Sequence, residues 1–135
     1  MLLWMCLIFF LSHQDDLQSS RTSGMLVWLL SFFGLGQEFI DAYHIRWWIR
    51  KAAHFTEYFV LYLLIKRVLN LYEAYIPRAA YAWIFTAGYA MTDELHQRFI
   101  PGRTGLFQDV MIDSSGALTA LGLLWLYEQW QMKKM

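Results

Sequence analysis

Thr92-Asp93-Glu94-Leu95-His96-Gln97-Arg98-Phe99-Ile100-Pro101-Gly102-Arg103-Thr104-Gly105, continuing Leu106-Phe107-Gln108-Asp109-Val110-Met111-Ile112-Asp113-Ser114-Ser115, decides how this chain folds. It carries Asp93, Glu94, His96, Gln97, Arg98, Arg103, Asp109 and Asp113, yet an apolar segment precedes it and another follows. Charge concentrated between apolar helices is costly, so it ordinarily has a task. A second polar cluster, His54 to Glu57, answers the first.

The length of 135 residues suits a single domain, residues 1–135. The chain is 58% hydrophobic and 19% aromatic but only 16% charged. A soluble domain of this size cannot easily hide so much apolar surface, so the composition predicts a small integral membrane protein. Eleven basic residues balance eleven acidic ones. Nucleic-acid binding, which calls for a basic stripe, is not expected. The lone cysteine, Cys6, sits in an apolar run and reads as a small buried hydrophobe.

The apolar segments follow in order. Leu2 to Leu11 reads as a first membrane helix, tilted or with its true start upstream, since about 20 apolar residues are needed to span. No basic region precedes it and no small-residue cleavage site follows it, which argues against a cleaved signal peptide. Ser12 to Ser23 is a polar connection. Met25 to Phe33 is too short to span and predicts a short interfacial helix, with Gly34 and Gly36 ending it. Trp47 and Trp48 among Arg46, Arg50 and Lys51 suggest an interfacial anchor. Ala52–Leu71, Ala79–Thr92 (running on through Asp93–Gln97) and Val110–Tyr127 predict three more spanning helices. The small residues of the last two let helices approach closely. The expected fold is therefore all-α: a membrane bundle of about four transmembrane helices plus a short interfacial helix.

Alternating passes bring the start of the second helix, the end of the third and the start of the fourth to one side of the membrane. His54, Glu57, Asp93, Glu94, His96, Asp109 and Asp113 should then line one water-accessible pocket, with Arg103 at its rim. Positive charge does not choose the side. Lys66, Arg67, Arg78, Lys133 and Lys134 fall on one face, and Arg21, Arg46, Arg50, Lys51, Arg98 and Arg103 on the other.

Two readings of these residues stay open. His54 and Glu57, three apart on one helical face, make either an acid/base or metal-ligand pair, or an interhelical hydrogen bond. Asp93, Glu94 and His96, with Asp109 and Asp113, admit a divalent metal through oxygen and imidazole donors, or metal-free proton chemistry. The plainer alternative is an ion-pair lock with Arg98 and Arg103. Arg103, on a glycine-flanked turn, suits bidentate capture of phosphate or carboxylate, with Gln97 and Thr104 as further contacts; the alternative is a pair with Asp93 or Asp109.

Two blocks carry a family resemblance. Arg50-Lys51-Ala52-Ala53-His54-Phe55-Thr56-Glu57-Tyr58 resembles the first signature of the VanZ-like family. Thr92 to Gly105, followed by Asp109 and Asp113, resembles the second. Ser12–Gln14 and Ser19-Ser20 look like the family's loop after the first helix. The resemblance implies a small bacterial protein of the cytoplasmic membrane with about four spanning helices. It further implies an extracytoplasmic polar site and a link to low-level resistance to the glycopeptide teicoplanin. Three functions follow as expectations: an enzyme modifying an envelope lipid or lipid-linked cell-wall precursor, a non-catalytic binder that shields a precursor or drug, and a small transporter or flippase. Membrane lipids are the expected partners in each.

Overall fold

The structure is a computed structural model that describes residues 1–14, 24, 28–29, 31–32, 44–72, 77–103 and 105–134, with the side chain of Arg46 left aside. Four helices are bounded within it: α1, Leu2–Ser12; α2, Ile45–Leu69; α3, Arg78–Gln97; and α4, Phe107–Met132. No strand occurs among the described residues.

The helices begin and end where local chemistry allows. α3 starts directly after Pro77, whose fixed φ suits a helix N-terminus. It runs through Asp93, Glu94 and Gln97 without interruption, as expected, and stops before the turn at Pro101-Gly102. Gly102 and Gly105 take positive φ, +79° and +52°, so the chain reverses there at positions that disfavour a side chain. α2 starts seven residues earlier than the sequence suggests, at Ile45 rather than Ala52. Nothing between Ile45 and Ala52 breaks a helix, so Trp47, Trp48, Arg50 and Lys51 are helical residues and not a separate lead-in. α4 extends the expected Val110–Tyr127 by three residues at its start and five at its end.

At 1.5 Å per residue α4 is about 39 Å long, enough to cross a hydrocarbon core of about 30 Å. Its mean hydropathy reaches 1.4, and among the described residues it is the one helix both long and apolar enough to cross a membrane. α2 and α3 have the length, about 37 and 30 Å, but carry their charges in line. α1, at about 16 Å, falls short of a full crossing.

α2, α3 and α4 pack pairwise, with α2 against α4 the closest partnership. The shared core holds Tyr58, Leu61, Tyr62 and Ile65 of α2, Ala82 and Ala90 of α3, and Val110, Ala117 and Ala120 of α4. Gly116 sets the α2–α4 distance: a Cβ placed there would run into the backbone carbonyl of Phe55. α1 lies across α2 and α3, held by Ile8 in the core and by two bonds to backbone. Trp4 Nε1 donates to the Glu57 carbonyl at 2.9 Å, and the Tyr89 hydroxyl donates to the Met5 carbonyl at 2.8 Å. The outer surface is apolar, with Leu3, Phe10, Ile84, Phe85, Met111, Leu118 and Leu123 all exposed. Cys6 is also exposed, against the expectation of burial, because α1 turns Ile8 and not Cys6 toward its neighbours.

The interfacial helix expected at Met25–Phe33 falls mostly outside the described residues. Of that stretch, Trp28, Leu29, Ser31 and Phe32 are helical and exposed. Ser19-Ser20, Gly34, Gly36 and Thr104 also lie outside the description.

Candidate functional site

The end of α3 supplies the centre. Asp93, Glu94 and Gln97 fall on one stripe of the helix, continuing Ala82, Thr86 and Ala90 inward, so the packing that buries the alanines buries the acids too. Asp93 is 4% exposed and Glu94 3%. From α4, Asp113 continues the stripe of Gly116, Ala117 and Ala120 and is fully buried. The close approach of α2 at Gly116 sets His54 against it, with His54 Nδ1 3.6 Å from Asp113 Oδ1. That separation is too long for a hydrogen bond. One ligand atom each from His54, Asp93 and Glu94 lies within 4.8 Å of the others. Glu57 lies beside them, one helical turn on from His54, with Asp93 among its electrostatic neighbours. The structure thus brings together five of the seven acid and histidine residues singled out in the sequence.

The other two sit at the edge of the cluster with partners of their own. Asp109 pairs with Lys51 at the first turn of α4. His96 turns outward: its Nε2 is 3.1 Å from His13 Nδ1, and its ring stacks on Phe9 at 4.7 Å. Both still border the cluster: Asp109 is an electrostatic neighbour of His54, Glu94 and Asp113, and His96 of Asp93. Asp109 and His96 project from neighbouring helical faces toward partners on α2 and at the end of α1.

Gln97 and Arg103 are also differently placed from their expected roles. Gln97 is buried and donates from Nε2 to Asp93 Oδ2 at 3.2 Å, so it orients the acid. Arg103 is only 9% exposed and donates from Nε to the Gln14 carbonyl at 3.2 Å. It stands inside the cluster and not at an open rim, with His54, Glu57 and Glu94 among its electrostatic neighbours.

Three residues of the site are invisible to a linear reading. Ser12, taken as the start of a loop, is the last residue of α1; its buried hydroxyl donates to Asp93 Oδ2 at 2.7 Å. His13 meets His96. Tyr58, in the sequence only the last residue of the first block, turns its hydroxyl inward to Asp93 and Asp113. Only the Ser-His pair closing an apolar helix, and the tyrosine one position past Glu57, hinted at them.

Hydrogen bonding in the cluster is lopsided. His54 Nδ1, Asp93 Oδ1, both carboxylate oxygens of Glu94, both of Asp113 and the Tyr58 hydroxyl are buried without a close hydrogen-bond partner among the described residues. Buried polar atoms are ordinarily paired, and those left over mark a place where something else binds. Two apolar-walled grooves reach the cluster. One, about 440 Å³, runs between α1 and α2 past Trp4, Ile49 and Ala53 to Glu57. The other, about 280 Å³, runs between α3 and α4 past Met91, Leu95 and Phe107 to Glu94. Such a centre can exchange protons between carboxylates, or hold a cation through oxygen and imidazole donors.

The VanZ/LLP1 family model matches residues 1–128, nearly the full chain and both signature blocks. The chain belongs to the VanZ/LLP1 family. No curated protein and no solved structure matches it. Both VanZ blocks feed the buried cluster: the first through His54, Glu57 and Tyr58, the second through Asp93, Glu94, Arg103 and Asp113.

Proposed function

We propose that this VanZ-like protein is a multi-pass protein of the bacterial cytoplasmic membrane that modifies an envelope lipid or a lipid-linked cell-wall precursor. Its acidic site faces the extracytoplasmic side and underlies low-level resistance to teicoplanin. The observation that carries this reading is the pair of grooves. Their apolar walls run between helices and end at Glu57 and Glu94, the edge of a buried acid and imidazole cluster. An apolar tail fits the walls, and a polar head group meets carboxylates able to give or take a proton. The apolar outer surface and the one helix fit to cross a bilayer support the membrane setting. α2 and α3 join α4 as spans because the acids they carry face inward, shielded from lipid.

The test uses the intact chain produced in a teicoplanin-susceptible Gram-positive host, reading the inhibitory concentration and, by mass spectrometry, the pool of lipid-linked wall precursors. The parent chain raises the inhibitory concentration and alters a precursor or lipid species. Glu57→Gln and Asp113→Asn, present at the same level and equally folded in detergent, abolish both effects. Equal protection by the two variants would remove the cluster from the function. Protection without any chemical change in lipid or precursor would leave a binder in place of an enzyme.

A further inference from the structure

We infer that His54, Asp93, Glu94 and Asp113 form a site for one divalent transition-metal ion. The inference rests on the cluster being the working centre described above, and it names the cofactor of that centre.

Three features point to a cation. The donors come from three separate helices yet converge, with His54, Asp93 and Glu94 each offering a ligand atom within 4.8 Å of the other two. Three donors spread evenly around one ion, each about 2.2 Å away, stand about 3.8 Å apart, so an inward shift of roughly half an ångström per donor completes the set. Asp113 is the fourth: fully buried, with neither oxygen hydrogen-bonded, and 3.6 Å from His54 Nδ1. The shortage is of positive partners. Glu57 and Glu94 have Arg103 as a neighbour, Asp113 is surrounded by the carboxylates of Glu94, Asp93, Asp109 and Glu57, and Lys51 is bonded to Asp109. A water molecule offers two protons to this group of acceptors, whereas a metal ion engages four to six lone pairs at once.

The donor set selects the ion. Calcium prefers six to eight oxygen ligands and magnesium keeps several waters, whereas one imidazole with several carboxylates suits Mn²⁺ or Zn²⁺. The surroundings resemble a supported site: Ser12 and Gln97 both donate to Asp93 Oδ2 and the Tyr58 hydroxyl faces the same carboxylate, which orients Oδ1 toward the cluster.

The protein, purified in detergent with a tag free of histidine, is stripped with chelator and re-equilibrated with MnCl₂ or ZnCl₂. Bound metal is read by elemental analysis and the melting temperature followed. One ion per chain is expected, with a rise in melting temperature that Mg²⁺ and Ca²⁺ do not match. Asp113→Asn and His54→Gln weaken binding by about 100-fold. His96→Gln, which alters the contacts with His13 and Phe9 but removes none of the four donors, leaves binding unchanged. Should either cluster variant fail to fold, pulsed electron paramagnetic resonance on the Mn²⁺-loaded parent decides the matter: an imidazole nitrogen coupling is expected, and its absence overturns the site. Failure of the parent to retain either ion overturns it too, as does binding lost in His96→Gln and kept in Asp113→Asn. Because these readings need no lipid, they separate from the resistance test. Metal bound without protection sinks the functional reading alone, and protection without metal sinks the metal site alone.

Discussion

Lys51 and Asp109 show how two charges a few residues from the cluster come to do a different job. Their side chains are 11% and 14% exposed and bonded to each other across the α2–α4 contact. Removing one partner of such a pair leaves the other buried and alone, which costs about 3 kcal/mol, the lower end for a pair that keeps some solvent. Lys51→Met should therefore lower stability by about that amount in a detergent unfolding titration, and Lys51→Met/Asp109→Leu should recover most of it. A Lys51→Met protein as stable as the parent would show that the pair does not hold α2 to α4. The sequence reading grouped Asp109 with Asp113 because both lie on the first turns of one helix. Lys51, 58 residues away and placed by its tryptophan neighbours at the membrane surface, bonds the first of them. Ser12 was hidden for the same reason: its partner Asp93 is 81 residues away, and no local pattern encodes a contact at that distance.

At the scale of elements, spacing carried more. The run of apolar and small residues made the α3 and α4 stretches readable, and the unbroken passage from Ala79 to Gln97 placed the acids on a helix and not in a loop. The helix ends were less readable, because Arg46 to Lys51 has charges and tryptophans but neither glycine nor proline. Which small residues matter was also hidden. Gly116 and Gly122 look alike in the sequence, yet only Gly116 meets the Phe55 carbonyl, and Gly122 has nothing within 4 Å of the place a Cβ would take. Gly116→Val should push α2 from α4 and cost about 1–3 kcal/mol through overpacking. It should also separate His54 from Asp113 and so abolish protection. Gly122→Ala should be neutral or slightly stabilising, since alanine is the better helix former. Thermal unfolding of the two variants side by side checks this. Equal losses at both positions would mean that the close approach at Phe55 is not what fixes the helix pair.

For the molecule as a whole, the direction of α2, α3 and α4 decides which end the cluster occupies. The start of α2, the end of α3 and the start of α4 meet, as alternating passes require. If that end faces outward, the C-terminus lies inside the cell. Single cysteines at Gln108 and Lys134, both exposed and in a Cys6→Ser background because Cys6 is itself exposed, report the two ends. Gly105 is a poor place for such a reporter, since its positive φ and the nearby Arg98 and Glu94 leave no room for a side chain. A membrane-impermeant thiol reagent should label intact cells at Gln108→Cys and leave Lys134→Cys unmodified until the membrane is opened; the reverse pattern would place the cluster in the cytoplasm. The charge count could not settle this, but the meeting of the three helix ends was legible from segment order alone. The two grooves add a kinetic consequence. Both run between helices, and under the proposed function a lipid-anchored ligand using them approaches sideways, within the two-dimensional sheet of lipid. Occupancy then follows the mole fraction of that ligand among its lipid neighbours. Diluting the host bilayer with inert lipid slows the protein even when the amount of ligand per millilitre is held constant.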